Sequence, residues 1–298
     1  PVASIIVSAF NQERFIARCL ESCLAQTLPA EVIVVDGGSH DRTAAIIRER
    51  WPQVQLLELP EVAELARQGR SGNARQRNAG RRVARGEFLV FIDGDDELLP
   101  DKLARQVPLL QADAGIGLTY GEMEIIDESG ASIDRQSRRY GVYAEPITFL
   151  QVLTRGRILI HAALFRAAAL TEAGGFDEEL CSRSDWLAQL RIARCWRLTY
   201  SPEPVGCYRV YPAQISSNSG LMKRATAEIC EKLLAEGLTQ DEAALACLHL
   251  GKARYYLREY ARAADALRGA HGAHAFIFRL LAMLRVPPAL MRRLQGGQ

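Results

Sequence analysis

The sequence lacks any run near the roughly 18 consecutive apolar residues that a membrane-spanning helix needs, so no transmembrane segment is expected. Its opening, VASIIVSAF, has no basic flank and reads directly into a fold instead of a secretory leader, which points to a cytoplasmic setting. The seven cysteines form no CxxC pair, and Cys19 and Cys23 fall on one helix face, so reduced core thiols are expected and zinc sites or disulfides are not. GxxxxGK, a GxGxxG behind a strand and HExxH are all absent, which removes the P-loop NTPase and dinucleotide-binding readings.

What is present is ordinary globular material. With 298 residues, 48% hydrophobic and 24% charged, the chain can build one large domain and a smaller one. Net charge is only +2, yet it is polarised. From Lys252 onward there are nine Lys or Arg against two acids, which leaves the first 251 residues at about −5.

The stretch Glu87–Pro100, EFLVFIDGDDELLP, organises the rest. Phe88 to Ile92 form a continuous apolar run with aromatic and β-branched members behind Gly86, the pattern of a buried strand. It ends in Asp93, Asp95 and Asp96, with Gly94 expected to allow a tight turn between them. Carboxylates gathered at a strand end require a compensating cation, and hard oxygens suit Mg²⁺ or Mn²⁺ shared with a substrate phosphate. The same residues also read as a solvated acidic turn in which Asp96 or Asp101 caps the next helix, and spacing alone leaves both open.

Around it the chain alternates. Val2–Ser8 reads as a strand, followed by a helix capped by Asn11; Val32–Val35 reads as a second strand ending in Asp36, with Asp41 capping a helix to about Arg50. A third strand near Gln55–Leu59 and a helix from about Gly72 to Ala84 lead into the Phe88 strand, which predicts a mainly parallel sheet covered by helices. Ligands bind such sheets at the carboxyl ends of strands, which places Ala9, Phe10, Asp36, Asp93 and Gly94 at the candidate site. Beyond Pro100 the pattern becomes mixed: a helix to about Ala112, a strand over Leu118–Asp127, a turn at 128–130, a helix over Ser184–Cys195, and short strands at Leu198–Ser201 and Val205–Arg209. From about Leu221 it reads as helical. Two domains are expected, 1–217 and 218–298.

In this order SIIVSAFNQERFIARCLES, VIVVDGGSHDRT, RNAG with ARGEFLVFIDGDD, GGFDE and SDWLAQLRIA resemble the family 2 glycosyltransferases, inverting enzymes with the GT-A nucleotide-sugar-binding fold, over roughly Ala3–Ser217. The resemblance implies a donor nucleotide whose uracil or thymine is read by Asp36, with Arg77 and Asn78 near the nucleotide or its diphosphate. It places Asp93 and Asp95 at the DxD positions, with Asp95 as the direct ligand of Mn²⁺ or Mg²⁺ and Asp96 next. Asp185 becomes the base that takes the acceptor hydroxyl's proton. The implied activity is metal-dependent transfer from a nucleoside diphosphate sugar, a UDP-sugar above all, to a glycan or lipid-linked acceptor in glycan or surface polysaccharide synthesis, with no nucleic-acid partner.

Departures from the family pattern are Ser8 for Pro, Ser184 for Glu, Leu187 for a second Asp and Tyr211 for His. They motivate a second reading as a non-catalytic sugar-nucleotide binder or scaffold. A sugar-phosphate nucleotidyltransferase would need a Gly-rich basic loop that SAFNQERF does not supply. His161 fits a family segment near the acceptor, but a lone His among apolar residues is more often a packed core position. In the tail, Leu250, Gly251, Tyr260, Ala263, Leu267 and Ala270 have the spacing of a single tetratricopeptide-type hairpin, which needs neighbours to bury its core. Phe276, Ile277, Leu280, Leu281 and Leu284 make an apolar stripe near Arg279, Arg285, Arg292 and Arg293, interrupted by Pro287 and Pro288. Such a stripe suits peripheral contact with an anionic membrane face or packing on protein.

Overall fold

The computed structural model describes residues 1–156, 158–212 and 214–290. Two compact units divide the chain: Pro1–Glu179 with Ser184–Gln214, and Leu180–Arg183 with Ile215–Gln298. The short segment 180–183 therefore belongs to the second unit, a crossing that hydrophobic pattern along the chain does not reveal.

In the first unit, nine strands among the described residues share one sheet: β1 (Ala3–Ala9), β2 (Glu31–Asp36), β3 (Gln55–Glu58), β4 (Phe88–Asp93), β5 (Glu97–Leu98), β6 (Ile116–Ile126), β7 (Ser132–Arg135), β8 (Ala163–Arg166) and β9 (Arg197–Arg209). Their order is β3-β2-β1-β4-β8-β6-β9-β5, with β7 on β6. The first four pair parallel, joined by helical crossovers. The β4–β8 and β8–β6 pairs are antiparallel and β6–β9 is parallel, so the sheet is mixed in its second half. β1 is buried along its whole length and β4 up to its last residue, which is why both read as unbroken apolar runs. Ile5, Val7, Val90 and Ile92 pack with Ile16, Leu20, Leu103 and Leu110 in the main core.

Several local expectations are corrected. Asn11 does not cap the first helix, which runs Ile16–Leu24; it has a positive φ of 53°, and its side-chain oxygen accepts from the His40 amide at 2.8 Å, tying the β1 loop to the β2 loop. The two short strands after Trp196 are one strand, β9, whose pairing to β6 slips near Tyr120–Met123, opposite the stretch holding Pro202 and Pro204, residues that cannot donate to the ladder. The expected tight turn at Gly94 is present, closed by the Asp96 amide donating to Asp93 O at 3.0 Å, and it needs no positive φ; a Cβ at Gly94 would lie 3.3 Å from the Gln12 and Ile16 side chains, so close packing also favours glycine.

The second unit is helical: Ser219–Glu236, Gln240–Tyr256, Tyr260–Ala266 and Ala273–Met283. Thr239 and Glu242 close a capping box on the second of these. Gly251 lies so near Leu267 that a Cβ would be 2.3 Å from its Cγ, the close approach expected of the hairpin. The hairpin's core is completed by Ala275, Phe278 and Ala282 of the last of these helices, against Tyr255, Ala263 and Leu267. The opposite face of that helix exposes large apolar residues: Phe276 is 70% exposed and Met283 63%, and Leu284, just past its end, 66%. Arg292 and Arg293 lie outside the described residues.

Candidate active site

Three strand ends lie level. Ala9 pairs with Asp36 across β1 and β2, and Ser8 with Asp93 across β1 and β4, so parallel register alone brings the expected positions together. Gln76, on the helix Asn73–Val83, fastens this edge: its buried amide donates to Ala9 O at 2.8 Å and Val35 O at 2.9 Å. Sequence reading passed over Gln76 because a lone Gln on a basic helix gives no signal. Phe10 is part-exposed and meets the His40 ring edge-on.

Asp36 is buried, and its carboxylate accepts from the Gly38 amide at 3.0 Å, the Ser39 amide at 2.9 Å and the Ser39 hydroxyl. It therefore shapes its own loop, and any nucleobase contact would have to use the acceptor capacity left over.

The acidic turn is built from cations and hydroxyls of the chain itself. Arg77, 4% exposed, donates to both Asp93 oxygens at 3.0 and 3.2 Å, and Asn73 adds a longer contact. In this state the Arg77 fork is directed at a carboxylate. Asp95 Oδ2 accepts from the Tyr211 hydroxyl at 2.7 Å. Burial first, then the charge of Asp93, raises the Asp95 pKa. Asp96 is 1% exposed; one oxygen accepts from the Arg209 amide at 2.8 Å and the other lies 3.0 Å from His161 Nδ1. Burial raises its pKa well above the usual range, with Asp95 adding to the effect. The His161 ring stacks on Tyr208, and burial holds it neutral, its pKa drawn down to about 3. Neither ring nitrogen has good hydrogen-bond geometry to a partner, so the approach to Asp96 is a close contact and not a hydrogen bond.

Arg209 is the residue the sequence reading missed. Fully buried, it donates from Nε to Asp95 O at 2.9 Å, from Nη1 to Asp127 O at 3.0 Å and Glu128 O at 3.3 Å, and from Nη2 to Glu97, while its plane covers Phe15. One side chain thus ties the acidic turn to the ends of β6 and β9. Nothing in YRVYPAQIS marks it, because its acceptors come from two distant segments, 95–97 and 127–128.

Lys102 is likewise fully buried and donates to Gln106 Oε1 at 2.7 Å and to the carbonyls of Ala162 and Ala163 at 3.1 and 3.3 Å, holding the segment that carries His161. Burial pulls its pKa down to about 7 from 10.5. The unfolded chain keeps this proton up to about pH 10, so the folded state is penalised in full below pH 7 and progressively less as pH rises through that window. Wild type should therefore gain on the order of 4 kcal/mol between pH 7 and pH 10 relative to Lys102→Met. Urea denaturation of both proteins at the two pH values measures this, and parallel profiles would refute it.

Asp185 stands in the first turn of the helix Ser184–Cys195, half-buried, where the dipole favours a carboxylate. The helix is anchored by Trp186 Nε1 to Val152 O at 3.0 Å and Gln189 Nε2 to Ile158 O at 2.9 Å. Leu187 is fully buried, so its place in this chain is a core position. The neighbouring acids are committed elsewhere. Glu178 accepts from Asn78 at 2.8 Å and lies 3.7 and 3.8 Å from Arg75 and Arg82, while Asp177 accepts from the Glu179 amide and faces Arg191.

Comparison with known proteins decides the family. Residues 4–171, more than half the chain, match the profile described as Glycosyl transferase family 2. The chain belongs to that family. It is 29% identical over 197 residues to chondroitin synthase of Escherichia coli, a match that covers 65% of this chain and 26% of that protein. It is 27% identical over 218 residues to glycosyltransferase AglE of Haloferax volcanii, covering 71% of this chain and 68% of AglE. The chain thus spans about a quarter of the chondroitin synthase it matches. Among solved structures, S. aureus TarS 1-349 in complex with UDP-GlcNAc superposes with a TM-score of 0.73 at 18% identity, covering 99% of this chain and 92% of that one. Mannosyltransferase PcManGT of Pyrobaculum calidifontis, in complex with GDP-Man and Mn²⁺, superposes with a TM-score of 0.59 at 21% identity, covering 100% and 88%. Both show the fold, a GT-A glycosyltransferase fold with a helical C-terminal region.

A divalent metal is part of what the family resemblance implies. Among the described residues no group of three His, Cys, Asp or Glu is arranged to hold one. A Mg²⁺ or Mn²⁺ bound with a diphosphate takes only one or two protein carboxylates, and Asp93 and Asp95 supply hard oxygens of that number at the strand end. The residues fit a cation shared with the donor and not a cage made by protein alone.

Proposed function

We propose that this family 2 glycosyltransferase moves a sugar, with inversion, from a UDP-sugar to a hydroxyl acceptor in glycan or surface polysaccharide synthesis. The observation that carries the reading is the level meeting of Ala9, Asp36 and Asp93 at three parallel strand ends, beside Asp95. UDP is favoured because TarS, similar over nearly the whole chain, is described with UDP-GlcNAc and with UDP; polysaccharide synthesis is favoured by the likeness to chondroitin synthase and to the succinoglycan biosynthesis protein ExoO.

In this mechanism Asp36 accepts from the uracil N–H, while Ala9 and Phe10 line the same strand-end cleft. Asp93, oriented by Arg77, and Asp95 would hold Mn²⁺ or Mg²⁺ with the diphosphate; when bound, the ion stabilises charge on the departing UDP. Asp96 sits behind them and positions the turn. Asp185 takes the acceptor's proton as that oxygen bonds to the anomeric carbon on the face opposite the breaking bond to UDP, and the configuration inverts. UDP is expected to bind with divalent cation and to lose most affinity in EDTA, since two phosphates would otherwise meet the aspartates unscreened. Asp95→Ala should lose the metal-dependent part. Asp36→Asn, which keeps one acceptor for its loop, should lose about 1 to 3 kcal/mol of UDP affinity and leave metal dependence intact. Calorimetry tests all three, and equal UDP affinity with and without EDTA would remove the metal.

The proposed acceptor side includes a membrane face, where lipid-linked acceptors lie. No helix among the described residues is long and apolar enough to cross a bilayer. The support is the outward apolar face of Ala273–Met283, flanked by exposed Arg279 and Arg285 in a stretch, 271–290, that contains no acid. Phe276 and its neighbours can enter the head-group region while each arginine contributes about 1 kcal/mol at an anionic surface. Co-sedimentation with phosphatidylglycerol vesicles should be salt-sensitive and lost in Phe276→Ser/Met283→Ser/Leu284→Ser. Binding that is absent, or unaltered in the triple variant, would return this face to protein packing.

A further inference from the structure

Tyr211 occupies a position from which it controls how Asp95 can meet a cation. Its hydroxyl donates to Asp95 Oδ2 at 2.7 Å, and its ring packs on Phe15 with centroids 5.5 Å apart. Two residues earlier on the same segment, Arg209 Nε holds the Asp95 carbonyl at 2.9 Å. Main chain and carboxylate of Asp95 are thus both held from one short stretch. The carboxylate is 7% exposed at residue level, so water does not compete freely for the oxygen the phenol covers.

We propose that Tyr211 sets the cation preference of the donor site, by engaging one oxygen of Asp95 so that the carboxylate meets a metal through a single oxygen. The proposal rests on the reading of Asp95 as the carboxylate that meets the donor-bound cation. Its chemical consequence follows from ion size. Mg²⁺ and Mn²⁺ accept one oxygen per carboxylate in a compact octahedral shell, whereas the larger Ca²⁺ gathers six to eight oxygens and gains from bidentate carboxylates. A carboxylate with one oxygen already hydrogen-bonded serves the small ions and disadvantages Ca²⁺. Where the family pattern has His, this chain has a phenol in direct contact with the DxD carboxylate. Tyr211 acts in this way as a positioning and specificity-determining residue.

The test is UDP affinity by calorimetry in Mn²⁺, Mg²⁺, Ca²⁺ and EDTA, for wild type and Tyr211→Phe, which keeps the ring on Phe15 and removes only the hydroxyl. Wild type is expected to bind UDP far better with Mn²⁺ than with Ca²⁺. Tyr211→Phe is expected to narrow that ratio by about tenfold, the scale of one charge-assisted hydrogen bond, mainly through tighter binding in Ca²⁺. 3-Fluorotyrosine at position 211 keeps the donor and should keep the wild-type ratio. A Tyr211→Phe protein with the wild-type Mn²⁺ to Ca²⁺ ratio overturns the proposal and leaves the metal-dependent donor site standing. Wild type that binds UDP equally in EDTA overturns both.

Discussion

Asp185→Asn is expected to bind UDP with wild-type affinity and to lose about 10² to 10⁴ in sugar transfer, the usual cost of removing a general base. The carboxamide is nearly isosteric and can still accept a hydrogen bond, so the helix Ser184–Cys195 keeps its start, and the anchors Trp186 to Val152 and Gln189 to Ile158 are untouched. Only the capacity to take a proton is lost. The side chain is half-buried, which leaves it open to an acceptor, and two acids upstream are engaged: Glu178 by Asn78 with Arg75 and Arg82 close by, Asp177 by the Glu179 amide and Arg191. These contacts make Asp177 and Glu178 poorer candidates for the proposed base than Asp185. Donor binding by calorimetry and product formation by chromatography separate the two effects. Undiminished transfer would show that Asp185 merely stabilises its helix, and a parallel loss of UDP affinity would show that the change acts through folding.

The second large effect concerns Arg209. Arg209→Met is expected to destabilise the first unit by about 3 to 5 kcal/mol, the scale for removing one partner of a buried charged network. Its guanidinium serves the carbonyls of Asp95, Asp127 and Glu128 and the carboxylate of Glu97, and the methionine satisfies none of them. Glu97 is about a third exposed and can take up water, so the larger share of the loss falls on the buried carbonyls. Arg209→Lys should recover only part, because a single ammonium cannot reach acceptors spread around a planar fork. Because the same side chain holds the Asp95 carbonyl, UDP affinity in Mn²⁺ should fall in both variants. Urea denaturation followed by intrinsic fluorescence measures the first effect. A loss below about 1 kcal/mol would mean that the acidic turn is held by Tyr211 and the Arg209 amide alone.

Much of the fold is legible along the chain. β1 and β4 are buried on both faces, and a strand of that kind writes itself as an uninterrupted apolar run, so their positions and the alternation with helices follow from composition. The helix Ser184–Cys195 lies where its pattern places it. Less legible is β9. Two prolines divide its apolar pattern, yet pairing to β6 continues past them by slipping register, and only the partner strand decides that. The role of Asn11 was misread for a similar reason, since its positive φ and its bond from the His40 amide are set by a segment remote in sequence, whereas the turn at Gly94 is local and was legible.

By itself the sequence determined the family, the four parallel strands β1 to β4, the strand-end location of Asp36 and Asp93 and the acidic turn, because these depend on runs and spacings within single segments; the short strands β5, β7 and β8 left no such run. Tertiary structure alone decided how the acids are used. Arg77 turns to Asp93, Tyr211 to Asp95, and Asp96 is closed in between the Arg209 amide and His161. Each of those pairings joins residues 16 to 116 positions apart or, for His161, brings together groups on separate strands and turns. A buried charge takes whichever donor the packed fold brings within about 3 Å. No local pattern records that choice, which is why Arg209 and Gln76, the side chains that hold the site in place, become visible only in three dimensions.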